Sequence, residues 1–207
     1  MKIVLGLFTI FLMSNNVFAA DPQYLKIKVY KMAVSTSPLC TNLVTIIDNG
    51  SSPTYTDVLV NPTLGSGSVA DGTYPCVVIE FSDTLQFASD TTTGSCTAST
   101  NVSMSVCQNS ETSTLIDGST TTCTAGDDRV AMYLSTASTA TTGTGGHSAF
   151  QAPTSVGDAT KGFLLSTALT VSGSAAGKFV VNGTGKIDGT GGSCDMQPPA
   201  FSFSKVQ

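Results

Sequence analysis

Along residues 24–35 (YLKIKVYKMAVS), Leu25, Ile27 and Val29 alternate with Lys26, Lys28 and Tyr30. A period of two predicts a strand with one buried face and one wet face, and Ser37 and Pro38 end it. β-Branched residues dominate 42–47 (NLVTII) and predict a second strand, closed by turn chemistry in 48–53 (DNGSSP). A third short strand covers 55–60 (YTDVLV) and stops at Asn61 and Pro62. After a glycine-rich loop comes the strongest strand signal of the chain, 73–81 (TYPCVVIEF). Pro75 near its start predicts an edge position or a strand beginning, because proline has no N–H to give to a ladder.

Between 85 and 124 the pattern weakens. Val102, Met104 and Val106 alternate with serines, which predicts a strand that 113–116 (STLI) can join as a hairpin. Strand character returns at 129–134 (RVAMYL), whereas 135–146 (STASTATTGTGG) reads as a flexible, exposed loop. Four short strands follow at 162–166, 169–172, 178–182 and 200–204. The second and third of these are separated by GSAAG, a hairpin loop with two glycines. No long segment carries a 3.6-residue apolar period with caps, so helix is minor. The expected fold is all-β: a disulfide-braced antiparallel β-sandwich with long polar loops. It forms a single domain over 21–207, with an insertion around 91–146.

The amino terminus has a different pattern. Lys2 precedes an apolar stretch of eleven residues at 3–13 (IVLGLFTIFLM), and 14–20 (SNNVFAA) ends in small residues. This is the plan of a secretory signal peptide over residues 1–20, cut after Ala19 or before Asp21. An apolar stretch that short does not span a bilayer, which needs roughly 20 residues. No later segment reads as a membrane span.

Composition fits export. The formal net charge is -5 and charged residues make up only 11%, with Arg129 the sole arginine. An acidic chain lacks the basic footprint for nucleic acid or anionic lipid. Six cysteines, Cys40, Cys76, Cys96, Cys107, Cys123 and Cys194, all follow the leader. An even number behind a signal peptide is expected to pair in an oxidising compartment. A metal site is disfavoured by irregular spacing, the lack of any CxxC and the single histidine. Two bridges are expected to tie down 96–123, a stretch with few large apolar residues. No cofactor is expected.

Candidate chemistry is sparse. His147 lies in TGTGGHSAF and reads as a solvated loop histidine; no serine sits in GxSxG or SxxK. Asp127 and Asp128 adjoin Arg129, and a hydrolase could use two acids across a cleft. The preceding Ala125 and Gly126 favour turn chemistry for them instead. Asp127, Asp128, Asp188 and Asp195 could offer oxygens to calcium, but no ordered aspartate ladder is present. Glu80 shares a strand face with Cys76 and Val78; it is expected to face solvent, the alternative being a buried carboxyl with a raised pKa. The glycine-rich TGTGG and DGTGG have no lysine and helix after them and read as plain loops.

The order of elements resembles a bacterial exported β-sandwich family of unknown function with transthyretin-like (prealbumin) topology. The residues that carry the resemblance are the opening strand, the Asp71-Gly72-Thr73-Tyr74 turn and a looser hairpin-like stretch from Phe163 to Val181. The chain is also similar to small secreted proteins, rich in Ser and Thr, of predatory Gram-negative bacteria. These resemblances imply a fold and a place in the periplasm, at the cell surface or outside the cell, with no assigned chemistry.

The expected function is that of an exported, non-enzymatic, adhesin-like binding module that contacts an envelope protein or a glycan. One alternative is a secreted carbohydrate- or peptide-hydrolysing enzyme using Asp127, Asp128 or Glu80. Another is a structural surface subunit assembled by strand exchange, which needs an unpaired terminal strand near residues 200–206. If the loops 91–124 and 135–146 converge on one concave surface, binding is favoured.

Overall fold

The computed structural model describes residues 19–60, 68–107, 110–124, 126–143, 146–173 and 176–206, so the predicted leader lies outside it except for its last two residues. The strands are β1 (Ala19–Ala20), β2 (Pro22–Ser35), β3 (Val44–Asp48), β4 (Tyr55–Asp57), β5 (Gly72–Tyr74), β6 (Cys76–Ser82), β7 (Thr84–Ser89), β8 (Val102–Ser105) and β9 (Thr112–Thr114). After them come β10 (Thr120–Thr122), β11 (Arg129–Ser135), β12 (Phe163–Leu164), β13 (Leu169–Val171), β14 (Ala176–Asn182), β15 (Ile187–Asp188), β16 (Asp195–Met196) and β17 (Ala200–Val206). Among the described residues a single 3₁₀ turn, Thr190–Gly192, is the one helical element. The expectation of an all-β, disulfide-braced fold holds.

Strand β2 belongs to two sheets. Its first half pairs with β4 and β7, and its second half with β3 and β6. The change of partner coincides with an irregularity in which Val29 faces Phe81 and Lys31 faces Glu80, leaving Tyr30 as an extra residue. Such a bulge shifts the alternation by one. Hence Leu25, Ile27 and Val29 are buried in the main core before the bulge, and Met32 and Val34 after it. The switch from odd to even apolar positions is written in KVYKMAV.

The chain makes the same turn between β6 and β7, at Asp83. This aspartate is fully buried. Its Oδ1 accepts the Asp128 N–H at 2.8 Å and its Oδ2 accepts the Ser105 hydroxyl at 2.5 Å. Its own N–H donates to Asp128 O (2.8 Å), and Val106 N–H donates to Asp83 O (3.0 Å). One residue thereby joins the start of β11 to the end of β8. Burial holds its carboxyl above the ordinary range, even though both side-chain hydrogen bonds favour the charged form.

Central strand β6 lies between β2 and β11 and is buried along its whole length. Val77, Ile79 and Phe81 enter the main core between the sheets, while Cys76 and Val78 join Tyr133, Ala131 and Cys40 in a smaller outer core. Leu43, Leu115, Ile116 and Ala152 pack against that second core. Glu80 does share the face of Cys76 and Val78, but this face is covered rather than wet. The side chain is only 2% exposed, paired with the Arg129 Nε and accepting the Ile116 N–H at 3.2 Å. Arg129 also lies over the ring of Tyr30, the bulge residue, at 4.6 Å. The Tyr133 hydroxyl donates to Thr114 O at 2.9 Å, and burial, with the Glu80 charge nearby, pushes its pKa up to about 12.

Several pairings differ from those expected. Pro75 lies between β5 and β6 and takes one of the two positions expected for it, a strand beginning, inside the sheet. Residues 113–116 do not pair with β8: β9 pairs with β10, and β8 with β7. The segments flanking GSAAG are no hairpin either, since β13 pairs with β5 and β14 with β17. These strands are short and weakly patterned, and distant partners decide their pairing. Strand β17 is matched to β14 along its length, from Ala200↔Asn182 to Val206↔Ala176, whereas strand exchange calls for an unpaired terminal strand. The 135–146 stretch is not wholly exposed, because Ala137, Ser138 and Ala140 are buried.

The six cysteines form three bridges, Cys40–Cys76, Cys96–Cys194 and Cys107–Cys123. Two of them do hold 96–123, but only one lies within it; the other ties Cys96 to the C-terminal region. Beside that bridge the backbones touch: a Cβ on Gly94 would come within 2.1 Å of Gly189 O, so only glycine fits. Three disulfides fit an oxidising environment. Cys107–Cys123 closes a 16-residue separation around β9 and β10, and closing such a loop contributes about 3 kcal/mol. The double substitution Cys107→Ala/Cys123→Ala is therefore expected to lower unfolding free energy by roughly that amount in urea titrations. A loss below about 1 kcal/mol would show that the hairpin holds itself without the bridge.

Candidate functional site

Between the two sheets and the β14–β17 pair lies a chamber of about 350 Å³. Each wall follows from the alternation of a strand. Ile79 and Phe81 of β6 and Met132 of β11 form one side, and Leu25 and Ile27 of β2 with Leu85 and Met104 the second. The third comes from Phe179 and Val181 of β14, Phe201 of β17 and Met196 of β16. Among the described side chains after residue 20, five of the six phenylalanines and three of the four methionines line this one space. The volume is more than twice that of an apolar cavity of about 150 Å³ that stays dry and admits benzene.

The polar residues at its boundary are few. His147 is half-buried and packs its ring against Phe163 at 4.8 Å between centroids. Its Nε2 lies 2.6 Å from Gly162 O. A carbonyl only accepts, so this nitrogen carries the proton. Among the described residues Nδ1 is buried without a hydrogen-bond partner. The solvated loop histidine expected from the sequence is therefore a packed wall residue. Ser105 and Glu111 also line the chamber, and Gly143 and Gln197, both exposed, mark its mouth.

The loop after His147 is held by Asp158. Its Oδ2 accepts from the Thr154 N–H at 3.0 Å and hydroxyl at 3.1 Å. Its Oδ1 accepts from the Thr160 N–H and hydroxyl, both at 2.8 Å, and from the Lys161 N–H at 3.2 Å. The same loop sends Ser148 N–H to Thr160 O and Gly162 N–H to Ser148 O, which sets His147 and Phe150 against β11. These donors hold the Asp158 carboxyl far below the usual carboxylate range.

The acids singled out from the sequence lie elsewhere. Asp127 accepts from Lys28 Nζ at 3.0 Å and from the Ser82 hydroxyl. The Ser82 and Lys28 hydrogen bonds lower its pKa. Asp128 Oδ2 accepts from the Thr124 N–H at 2.6 Å and hydroxyl at 2.8 Å, the turn chemistry anticipated for it. Glu80 is committed to Arg129, and none of the three lines the chamber. Asp188 accepts from Thr190 and Asp195 from Ser193, each within its own turn. Among the described residues no group of three or more His, Cys, Asp or Glu is placed to hold a metal ion. Among them, too, no helix is long and apolar enough to cross a membrane.

The sequence does not mark these residues as one site: it presents Leu25, Ile27, Met104 and Val106 as strand positions and His147 as a loop residue. A usable signal was present in the clustering of Phe and Met after residue 100, on strands too short to show a period. No family model, curated protein or solved structure matches the chain. The transthyretin-like resemblance thus rests on the residues quoted for it.

Asp158 makes the wall pH-dependent in one direction. Its native pKa lies below the ordinary 3.8, so the stability it supplies is complete above that value and is lost as the pH falls through the native pKa. Asp158→Asn should lower stability at neutral pH by about 1.5–3 kcal/mol, the worth of hydrogen bonds to a charged group. In urea titrations the gap from wild type should shrink toward pH 2. A gap that stays constant across this range would contradict the assignment.

Proposed function

We propose that this chain is an exported, non-enzymatic binding protein that holds a small apolar molecule between its sheets, in the periplasm or outside the cell. The observation that carries the reading is the apolar chamber of about 350 Å³, within the range of about 300–1,000 Å³ for small-molecule sites. The two long polar segments support it, because Met104, Val106 and Glu111 from the first and Gly143 from the second border the same space. Export is supported by the leader-like amino terminus and the three disulfides. Cleavage after Ala19 would keep Ala20 in its pairing with Ile187. Contact with an envelope protein or glycan would then be a matter of delivery or location, and binding the task of the chamber.

The test is titration of the mature chain with the neutral dye N-phenyl-1-naphthylamine, whose fluorescence rises in apolar surroundings. The expected result is saturable binding at one dye per chain. Val181→Trp should abolish it while leaving the melting temperature unchanged or higher, because the larger ring fills space from β14 without removing a core group. Non-saturable binding, or full binding by a folded Val181→Trp variant, would overturn the proposal.

A further inference from the structure

We infer that the chamber selects neutral, π-rich apolar molecules, bearing aromatic rings or a conjugated polyene, over saturated hydrocarbons and anionic amphiphiles. This inference rests on the binding reading above and adds the chemistry of the ligand.

Four rings run in sequence along one wall. His147 and Phe163 stand 4.8 Å apart, Phe163 and Phe201 6.1 Å, and Phe201 and Phe179 6.0 Å, the last pair stacked with 10° between planes. All four border the chamber, as do Phe81 and Phe150. Ring pairs at such distances gain attraction beyond what buried area provides, from quadrupoles in offset or edge-to-face contact. The thioethers of Met104, Met132 and Met196 border the same space. Sulfur is polarizable and favours ring edges, and the unbranched side chain adapts to irregular shapes. A saturated ligand gains only the area term from these walls, whereas a flat unsaturated one meets partners for its faces and edges.

Charge sets the second criterion. Glu111 is the one charged residue in the described lining, with neither lysine nor arginine beside it. The whole chain is acidic, at -5. A carboxylate or phosphate headgroup would find no cation there and would meet a like charge. Two of the other polar groups are already engaged, while His147 Nδ1 offers the wall one uncharged acceptor among the described residues. His147 Nε2 is bound to Gly162 O, and the Ser105 hydroxyl to Asp83. Scaled against the cavity of about 150 Å³ that takes one benzene, the volume suits about two aromatic rings.

Three competitors of matched carbon skeleton separate these criteria by displacing N-phenyl-1-naphthylamine from the mature chain. They are trans-stilbene, its saturated counterpart 1,2-dicyclohexylethane and stilbene-4-carboxylate. Area alone favours the saturated compound, the most apolar of the three, so a preference for stilbene reports the rings. Stilbene is expected to displace the dye at concentrations at least tenfold lower than either analogue. Phe201→Leu should narrow the gap to dicyclohexylethane, and Glu111→Gln the gap to the carboxylate. If dicyclohexylethane or the carboxylate competes as well as stilbene on the wild-type chain, the ligand class is wrong while the chamber remains a binding site. If the dye itself fails to bind, both proposals fall.

Discussion

Two strands bend at one corner, and the rest of the molecule is arranged around the bend. Strand β2 turns at Tyr30, and β6 runs into β7 at Asp83. Corners of this kind, made by bulges or bends, let a strand pass from one sheet to the other. A bend opens backbone groups that a straight ladder would satisfy, and a buried unsatisfied group costs about 1–3 kcal/mol. Asp83 meets that demand with two backbone and two side-chain hydrogen bonds to Ser105, Val106 and Asp128. Its carboxyl is held above its usual pKa by burial, so the corner is a site of electrostatic cost sustained by the pairing around it. The space bordered by Ile79, Phe81, Phe163, Phe179 and Phe201 is not wholly filled by side chains.

The two faces of β6 resolve differently. Outward, Glu80, Arg129 and Tyr30 form a connected polar set beneath the β9–β10 hairpin, next to the small core of Cys76, Val78 and Tyr133. Removing Arg129, whose own side chain is one-third exposed, would strand the buried Glu80 carboxylate at a cost of up to about 3–5 kcal/mol. The ion pair with Arg129 and the Ile116 N–H account for a glutamate inside an apolar strand. Inward, Ile79 and Phe81 face the chamber. One strand thus has an outer face covered by a small core and an inner face that borders the apolar chamber.

Much of this was legible in the sequence. The alternation in 24–35, the dense apolar run at Cys76–Ser82 and the even cysteine count led to the right class of fold and its bracing. The phase shift after Val29 was also written there, although only the paired structure identifies it as a bulge. What stayed hidden depends on partners far away in the chain. Whether the Glu80 face is wet depends on a hairpin more than thirty residues later, and His147 is packed because the Asp158 loop brings Gly162 and Phe163 beneath it. Strands as short as β12 and β16, of two residues each, carry no period. Phe163 and Met196 could therefore be recognised as wall residues only once the sheets were in place.

For a small apolar molecule to bind, the chamber must be dry and open to entry. Diffraction from crystals of the mature chain under xenon pressure tests this most directly, because xenon occupies apolar cavities that stay dry. Xenon is expected between Ile79, Phe163 and Phe201 with the surrounding strands unmoved. A chamber closed by its own side chains, or filled by ordered water with no xenon, would contradict it.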